Sequence, residues 1–130
     1  MRYEIAICIQ TGDIVWVHGP FPCGWWPDIK IFRSCLKYFL SEGEKIEADK
    51  GYRGEECVRL PNMYSTVAEK VAKTVARQRH EGINGRLKNF GVLKQTYRND
   101  LNKHKSFFVA IAVLVQIGID NGENIFQCSY

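Results

Sequence analysis

No C-x-x-C pair occurs among the five cysteines, Cys8, Cys23, Cys35, Cys57 and Cys128. That absence and the odd count argue against a zinc site or a disulfide framework, and fit reduced thiols in a cytosolic or nuclear protein. No apolar segment of signal-peptide type follows Met1-Arg2-Tyr3-Glu4, so the chain is not expected to be secreted. No apolar run reaches the roughly 20 residues that a membrane span needs. The longest, Phe107 to Ile119, is interrupted by Gln116 and Gly118 and reads as a buried helix. Internal repeats and low-complexity tracts are absent too, and the aromatic and β-branched residues are spread too evenly for a disordered chain.

What is present is an ordinary globular balance: 130 residues, 45% hydrophobic and 25% charged. One domain of this length buries roughly two-thirds of its unfolded surface. The net charge of +4 is unevenly placed. Residues 1–56 hold 7 Lys/Arg against 9 Asp/Glu, whereas residues 57–130 hold 11 against 5. The basic second half makes a polyanion partner plausible, although on charge alone a solvated helix surface is the plainer reading.

Along the chain, Arg2 to Gln10 alternates with Tyr3, Ile5, Ile7 and Ile9 on one face, which predicts a strand. Thr11-Gly12-Asp13 predicts a turn, and Ile14 to His18 the second strand of a hairpin. Gly19 to Gly24 reads as a loop by its Gly and Pro content. Pro27 and Asp28 open a helix that Ser41-Glu42-Gly43 closes. Lys45 to Ala48 reads as a short strand and residues 53–64 as an irregular loop. Ser65 to about Phe90 reads as one long helix, its apolar face made of Ala68, Val71, Ala72, Val75, Ala76, Ile83 and Leu87. A last helix, about Asp100 to Asp120, is apolar on most sides, and residues 121–130 form a tail. This order predicts an α/β fold with a small mixed sheet and packed helices.

Two places could carry chemistry. Asp49 follows a short strand and precedes Lys50-Gly51-Tyr52, at the carboxyl end of the sheet where α/β folds place their sites. An Asp stabilising its own turn is the plainer reading. Arg77, Glu81, Asn84 and Lys88 recur at i, i+4, i+7 and i+11, so a helix lines them up as one polar stripe. A carboxylate between cations can bind a divalent metal while the cations meet phosphates; a solvated face is the plainer alternative. Together, Asp49 and Glu81 could contribute to a two-metal phosphoryl-transfer site, since hard cations want several oxygen ligands.

Several ordered stretches carry a resemblance. They are Arg2 to Gly12, Gly19 to Gly24 with Trp26-Pro27-Asp28, Ala48-Asp49-Lys50-Gly51-Tyr52, Arg77 to Lys88, and Asn121-Gly122-Glu123. With these the chain resembles the DDE transposases of the Harbinger and related bacterial insertion-sequence groups, over nearly its whole length. The family's helical signature is Y-x2-R-x3-E-x6-K; Arg77, Glu81 and Lys88 fit it, and Thr74 stands where the Tyr would be.

The resemblance implies a ribonuclease-H-like fold in truncated form, with residues 1–130 as part of a DDE catalytic domain. It implies a metal-dependent enzyme of DNA strand cleavage and strand transfer. Asp49 and Glu81 would be its second and third catalytic acids and metal ligands, for Mg²⁺ or Mn²⁺. Arg77, Asn84 and Lys88 would contact DNA phosphate. The first acid, in an Asp-Gly-Thr-like context on a preceding strand, and the amino-terminal DNA-binding module are not in the 130 residues. Asp28 matches a family position and reads as a helix-start residue near the site. Without the first acid the chain is expected to be inactive alone, and the Arg2–Gln10 strand to have an unpaired edge. Gly82 and Gly85 soften the helix that carries Glu81. The alternative is a domesticated, non-catalytic DNA- or protein-binding module keeping the same fold. DNA is the expected partner, with a homo-oligomer or a separate DNA-binding protein besides; the location would be the nucleus in a eukaryote and otherwise the cytoplasm.

Overall fold

The computed structural model describes residues 1–60, 66–90, 93 and 100–122. Strands β1 (Arg2–Ile7) and β2 (Ile14–Phe21) form an antiparallel hairpin. Its turn is closed by Cys8 N–H donating to Asp13 O at 2.9 Å and Gly12 N–H donating to Cys8 O at 2.8 Å. Gly12 holds φ at 80°, a left-handed conformation that a side chain would oppose. Ile5 pairs with Val17, Ala6 with Trp16 and Ile7 with Ile14, so Val15 is an extra residue in β2 and points outward. β2 runs past His18 through the Gly-Pro stretch expected to be a loop. Pro20 is tolerated there because β2 lies at the edge of a two-stranded sheet.

The alternation of β1 gives its two faces to two cores. Tyr3, Ile5 and Ile7, with Ile14 and Val17, pack against Ile83 and Leu87 of helix α2 (Val67–Lys88) and against Phe108, Ile111, Ala112, Val115 and Ile119 of helix α3 (Leu101–Asp120). Ala6 and Trp16, on the other face, meet Phe32, Leu36, Val58 and Leu60. Each large side chain so buried contributes about 1.5–3 kcal/mol. Tyr3 also stacks on Phe108, ring centroids 3.6 Å apart, while its hydroxyl meets His104 Nδ1 at 2.5 Å. Burial holds the His104 imidazole below its usual range.

Helix α1 (Asp28–Ser34) starts one residue after Pro27, its N-cap. It stops well before Ser41: Cys35 leaves the helical region, with φ −147° and ψ −66°, and its N–H donates to Phe32 O. A 3-10 turn, Leu36–Phe39, follows. Strand β3 (Ile46–Glu47) pairs in parallel with β4 (Val58–Arg59), which lies inside the stretch expected to be irregular. Residues 61–64 of that expected loop lie outside the described residues, as does most of the tail, including Glu123. The fold is therefore mixed α/β with two small sheets among the described residues, β1-β2 and β3-β4.

α2 opens on a reciprocal cap: Thr66 Oγ1 accepts from Glu69 N–H at 3.1 Å, and Glu69 Oε2 from Thr66 N–H at 3.3 Å. Its apolar face is dry only in the second half. Ala68 and Val71 are exposed, whereas Ile83 and Leu87 are buried, with Arg79 one turn before them. The Arg79 guanidinium reaches over the sheet to the hairpin turn and donates to Ile9 O and, at 3.1 Å, to Gln10 O. From α3, Gln116 Nε2 donates to Asp13 Oδ1 at 2.8 Å and Ile14 N–H donates to Gln116 Oε1 at 2.7 Å. The hairpin turn is thus tied to both long helices by polar side chains.

Candidate functional site

Asp49 stands two residues beyond β3, and the parallel β3–β4 pair presents it at its carboxyl end. It caps the 3-10 turn Lys50–Tyr52, its Oδ1 accepting from Gly51 N–H at 2.8 Å. A Cβ on Gly51 would lie 3.0 Å from Asp49 Oδ1 and 3.2 Å from Asp28 Oδ2. The two carboxylates therefore flank one narrow gap, which a side chain at position 51 would enter. Asp28 is held from its other oxygen: Arg2 Nη1 lies 3.2 Å from Asp28 Oδ1 and donates to Trp26 O at 2.9 Å.

A third acid faces the same region. Glu4, on the β1 face shared with Ala6, is only 4% exposed. Its Oε1 accepts from Trp16 Nε1–H at 3.0 Å, while Oε2 is buried and has no hydrogen-bond partner among the described residues. Burial pushes the Glu4 carboxyl above the usual range; the Trp16 bond opposes that and the Asp28 charge adds to it. The Tyr52 phenol is pushed up strongly, first by burial and then by the charges of Glu4, Asp28 and Asp49, which places it among the three acids. A cation comes from α2: Lys73 Nζ donates to Ala48 O at 3.4 Å and lies 3.8 Å from Glu47 Oε2. Burial holds this ammonium below its usual range, against the pull of Glu47.

The α2 stripe lies elsewhere. Glu81 is exposed and pairs with Arg77, Nε to Oε1 at 3.0 Å, within its own helix. Asn84 Nδ2 meets His80 Nδ1 at 3.2 Å, and Lys88 ends the helix, exposed. Glu81 sits eight residues past Lys73, or about 12 Å further along the helix axis. No hydrogen bond or ion pair joins Glu81 to Asp49 among the described residues. None of their His, Cys, Asp and Glu side chains gather in threes in a way that could hold a metal ion. A two-metal centre built on Asp49 and Glu81 is therefore not assembled by the described residues. What the fold brings together instead is Asp49 with Asp28, close to Glu4 and Tyr52.

Sequence reasoning found Asp49 and the stripe, and the resemblance put Asp28 near the site, but the grouping with Glu4 and Tyr52 was not read. Residues 4, 28 and 49 are far apart in the chain, and only the docking of α1 on the hairpin joins them. One signal was readable: strict alternation in β1 sends Glu4 to the same face as Ala6, away from Ile5.

The sequence model of the DDE superfamily endonuclease family matches residues 3–116. Neither the curated proteins nor the solved structures give a match.

Proposed function

The chain belongs to the DDE superfamily endonucleases, and from that membership we propose that it is a transposase-derived domain whose substrate is DNA and which does not cut DNA in this form. The reading includes a ribonuclease-H-like arrangement over residues 1–130, with Asp49 and Glu81 as acids of the cutting site. Arg77, Asn84 and Lys88 would meet the phosphate backbone. Enzymes of this superfamily generally use divalent metals, and Mg²⁺ or Mn²⁺ is the ion this reading expects in the complete centre. The match over residues 3–116 carries the reading. Asp49 at the carboxyl end of a parallel strand pair supports its place in the site.

The inactivity rests on the geometry. Glu81 is turned to solvent and occupied by Arg77, and the acids that do approach Asp49 come from α1 and β1. The same observation favours a second reading, a domesticated module that binds DNA or a protein without cutting. No helix among the described residues is long and apolar enough to cross a membrane. A nuclear site in a eukaryote, or a cytoplasmic one otherwise, completes the proposal.

Nicking of supercoiled plasmid in Mg²⁺ or Mn²⁺ tests it. The 130-residue chain should leave the plasmid intact. A chain extended by a preceding strand bearing an Asp should nick it, and Asp49→Asn or Glu81→Gln in that chain should abolish nicking. Cutting by the 130-residue chain that survives Asp49→Asn would overturn the assignment. If the extended chain folds and binds DNA but stays inert, the binding-module reading takes over. Its affinity should then fall steeply and log-linearly with salt, as phosphate contacts require.

A further inference from the structure

Aromatic rings line up beside β2. Phe39, Trp16, His18, Phe21 and Trp26 touch in succession, each ring centroid 4.9 to 5.7 Å from the next. Three of the five come from β2, which among the described residues has a partner strand on one side only. None of the five is fully enclosed. At one end Phe39 is 68% exposed, and Tyr38 before it 78%. At the other end Trp25, next to Trp26 in the chain, is 81% exposed. Its indole makes no ring contact or side-chain hydrogen bond among the described residues. Tryptophan is on average a well-buried residue, so rings left this open mark a surface with a use.

The charges beside the row are those a phosphate chain needs. Lys30 Nζ lies 4.4 Å from the centroid of the Trp26 ring. Burial, and then the charge of Lys105, hold the His18 imidazole below its usual range, which sets that ammonium near the middle of the row. Lys37 precedes Tyr38 and shares one carboxylate, Glu55, with Arg33, so those three keep one positive charge in excess. Glu42 and Glu44 follow Phe39 in the chain, so that end offers stacking rather than phosphate contacts. Lysine is depleted in protein–protein interfaces, whereas rings set among cations are what unpaired nucleic acid binds. Every base has a π-face, and in a duplex the neighbouring pairs cover it. Only a single strand presents bases to such rings.

We propose that this row is a binding surface for single-stranded DNA, whose bases stack on Trp25, Tyr38 and Phe39 while Lys30 and Lys105 meet its phosphates. The choice of DNA over RNA rests on the family membership; the stacking and the charge do not. The surface uses none of Asp49, Arg77, Glu81, Asn84 and Lys88, so it is separate from the residues assigned to cutting. Its affinity is independent of base sequence and falls with salt.

Fluorescence anisotropy of labelled oligo(dT), oligo(U) and a duplex of the same length, titrated with the whole chain, tests this. Oligo(dT) should bind more tightly than the duplex and at least as tightly as oligo(U). Trp25→Ala and Tyr38→Ala, both at exposed positions, should each weaken oligo(dT) about tenfold. Both should leave duplex binding, the circular dichroism spectrum and the melting unchanged. Lys30→Gln should lower the log–log salt slope for oligo(dT) by about 0.7. Lys88→Gln should weaken the duplex alone, so a wrong assignment of the α2 stripe shows in the duplex arm and a wrong assignment of the row in the oligo(dT) arm. No binding of oligo(dT) at low salt overturns the proposal. So does binding indifferent to both ring variants, or tighter binding of oligo(U). Sedimentation velocity supplies the last outcome: self-association that Trp25→Ala abolishes, with oligo(dT) unbound, would give the row to a second copy of the chain instead.

Discussion

Replacing Arg79 by Met keeps a long unbranched chain under the hairpin but removes the Nη1 group that donates both bonds to its turn. Arg79 is 7% exposed, and its guanidinium supplies the hydrogen bonds to Ile9 O and Gln10 O. A bond to a charged donor contributes about 1.5–3 kcal/mol, and a buried acceptor left bare costs a similar amount. Gln10 is exposed and its carbonyl can turn to water, whereas Ile9 is partly buried. The loss should therefore lie near one full bond plus part of a second, about 3 kcal/mol. For a chain of this size that lowers the melting temperature by roughly 10 °C. Urea denaturation followed by tryptophan fluorescence measures it, and an unchanged m-value would show that only stability moved. Arg79→Lys, which keeps one donor, should lose about half as much. Amide exchange should quicken at Gly12, whose N–H closes the turn. A loss under about 1 kcal/mol, with exchange at Gly12 unaltered, would refute the idea that Arg79 holds the turn.

Glu4→Gln tests the buried acid. Its carboxyl is raised by burial, so the folded state holds the proton more tightly than the unfolded chain. Stability from this group is full below the ordinary carboxylate range and is lost as pH rises through the raised folded value. Gln cannot ionise, so the variant should show a flatter stability profile above the ordinary carboxylate range and gain as pH rises; an unchanged slope in urea titrations refutes this. Gly51→Ala would put a methyl 3.0 Å from Asp49 Oδ1 and 3.2 Å from Asp28 Oδ2. Because side chains rather than backbone must yield, the cost to stability should stay within about 1 kcal/mol, while carboxylate chemical shifts at both Asp28 and Asp49 should move in ¹³C spectra. Shifts confined to Asp49 would show that the two acids do not share the gap.

Period and turn chemistry made much of this fold legible. Alternation in Arg2 to Gln10 and the Thr11-Gly12-Asp13 turn identified the hairpin, and helical spacing identified α2 and α3 to within two residues. β4 was not legible, because two residues carry no period and Val58–Arg59 is a strand only through its parallel partner. The early end of α1 falls at Cys35, with no glycine or proline in the sequence there to mark it. Arg79 sits on the buried ridge with Ile83 and Leu87, a place where a charge is expected only if its donors are matched, and those acceptors lie some 70 residues earlier in the chain. Asp49 stood out through local chemistry, a strand end before a glycine turn. Asp28 was placed near it only by the family resemblance, and Glu4 not at all, because their approach is set by the packing of α1 on the sheet.

The two faces of the β1–β2 ribbon make it a shared wall. Ile5 and Ile7 close one core, and Ala6, between them in sequence, closes the other. Neither core keeps its shape if the ribbon detaches, so unfolding on one side exposes apolar surface on the other. Two separate clusters are thereby made to melt as one cooperative transition. In folding, the hairpin is the sheet pairing of least entropic cost, since its turn closes a short loop. Either core can then condense on it first, and the order sets the height of the barrier but not the final state.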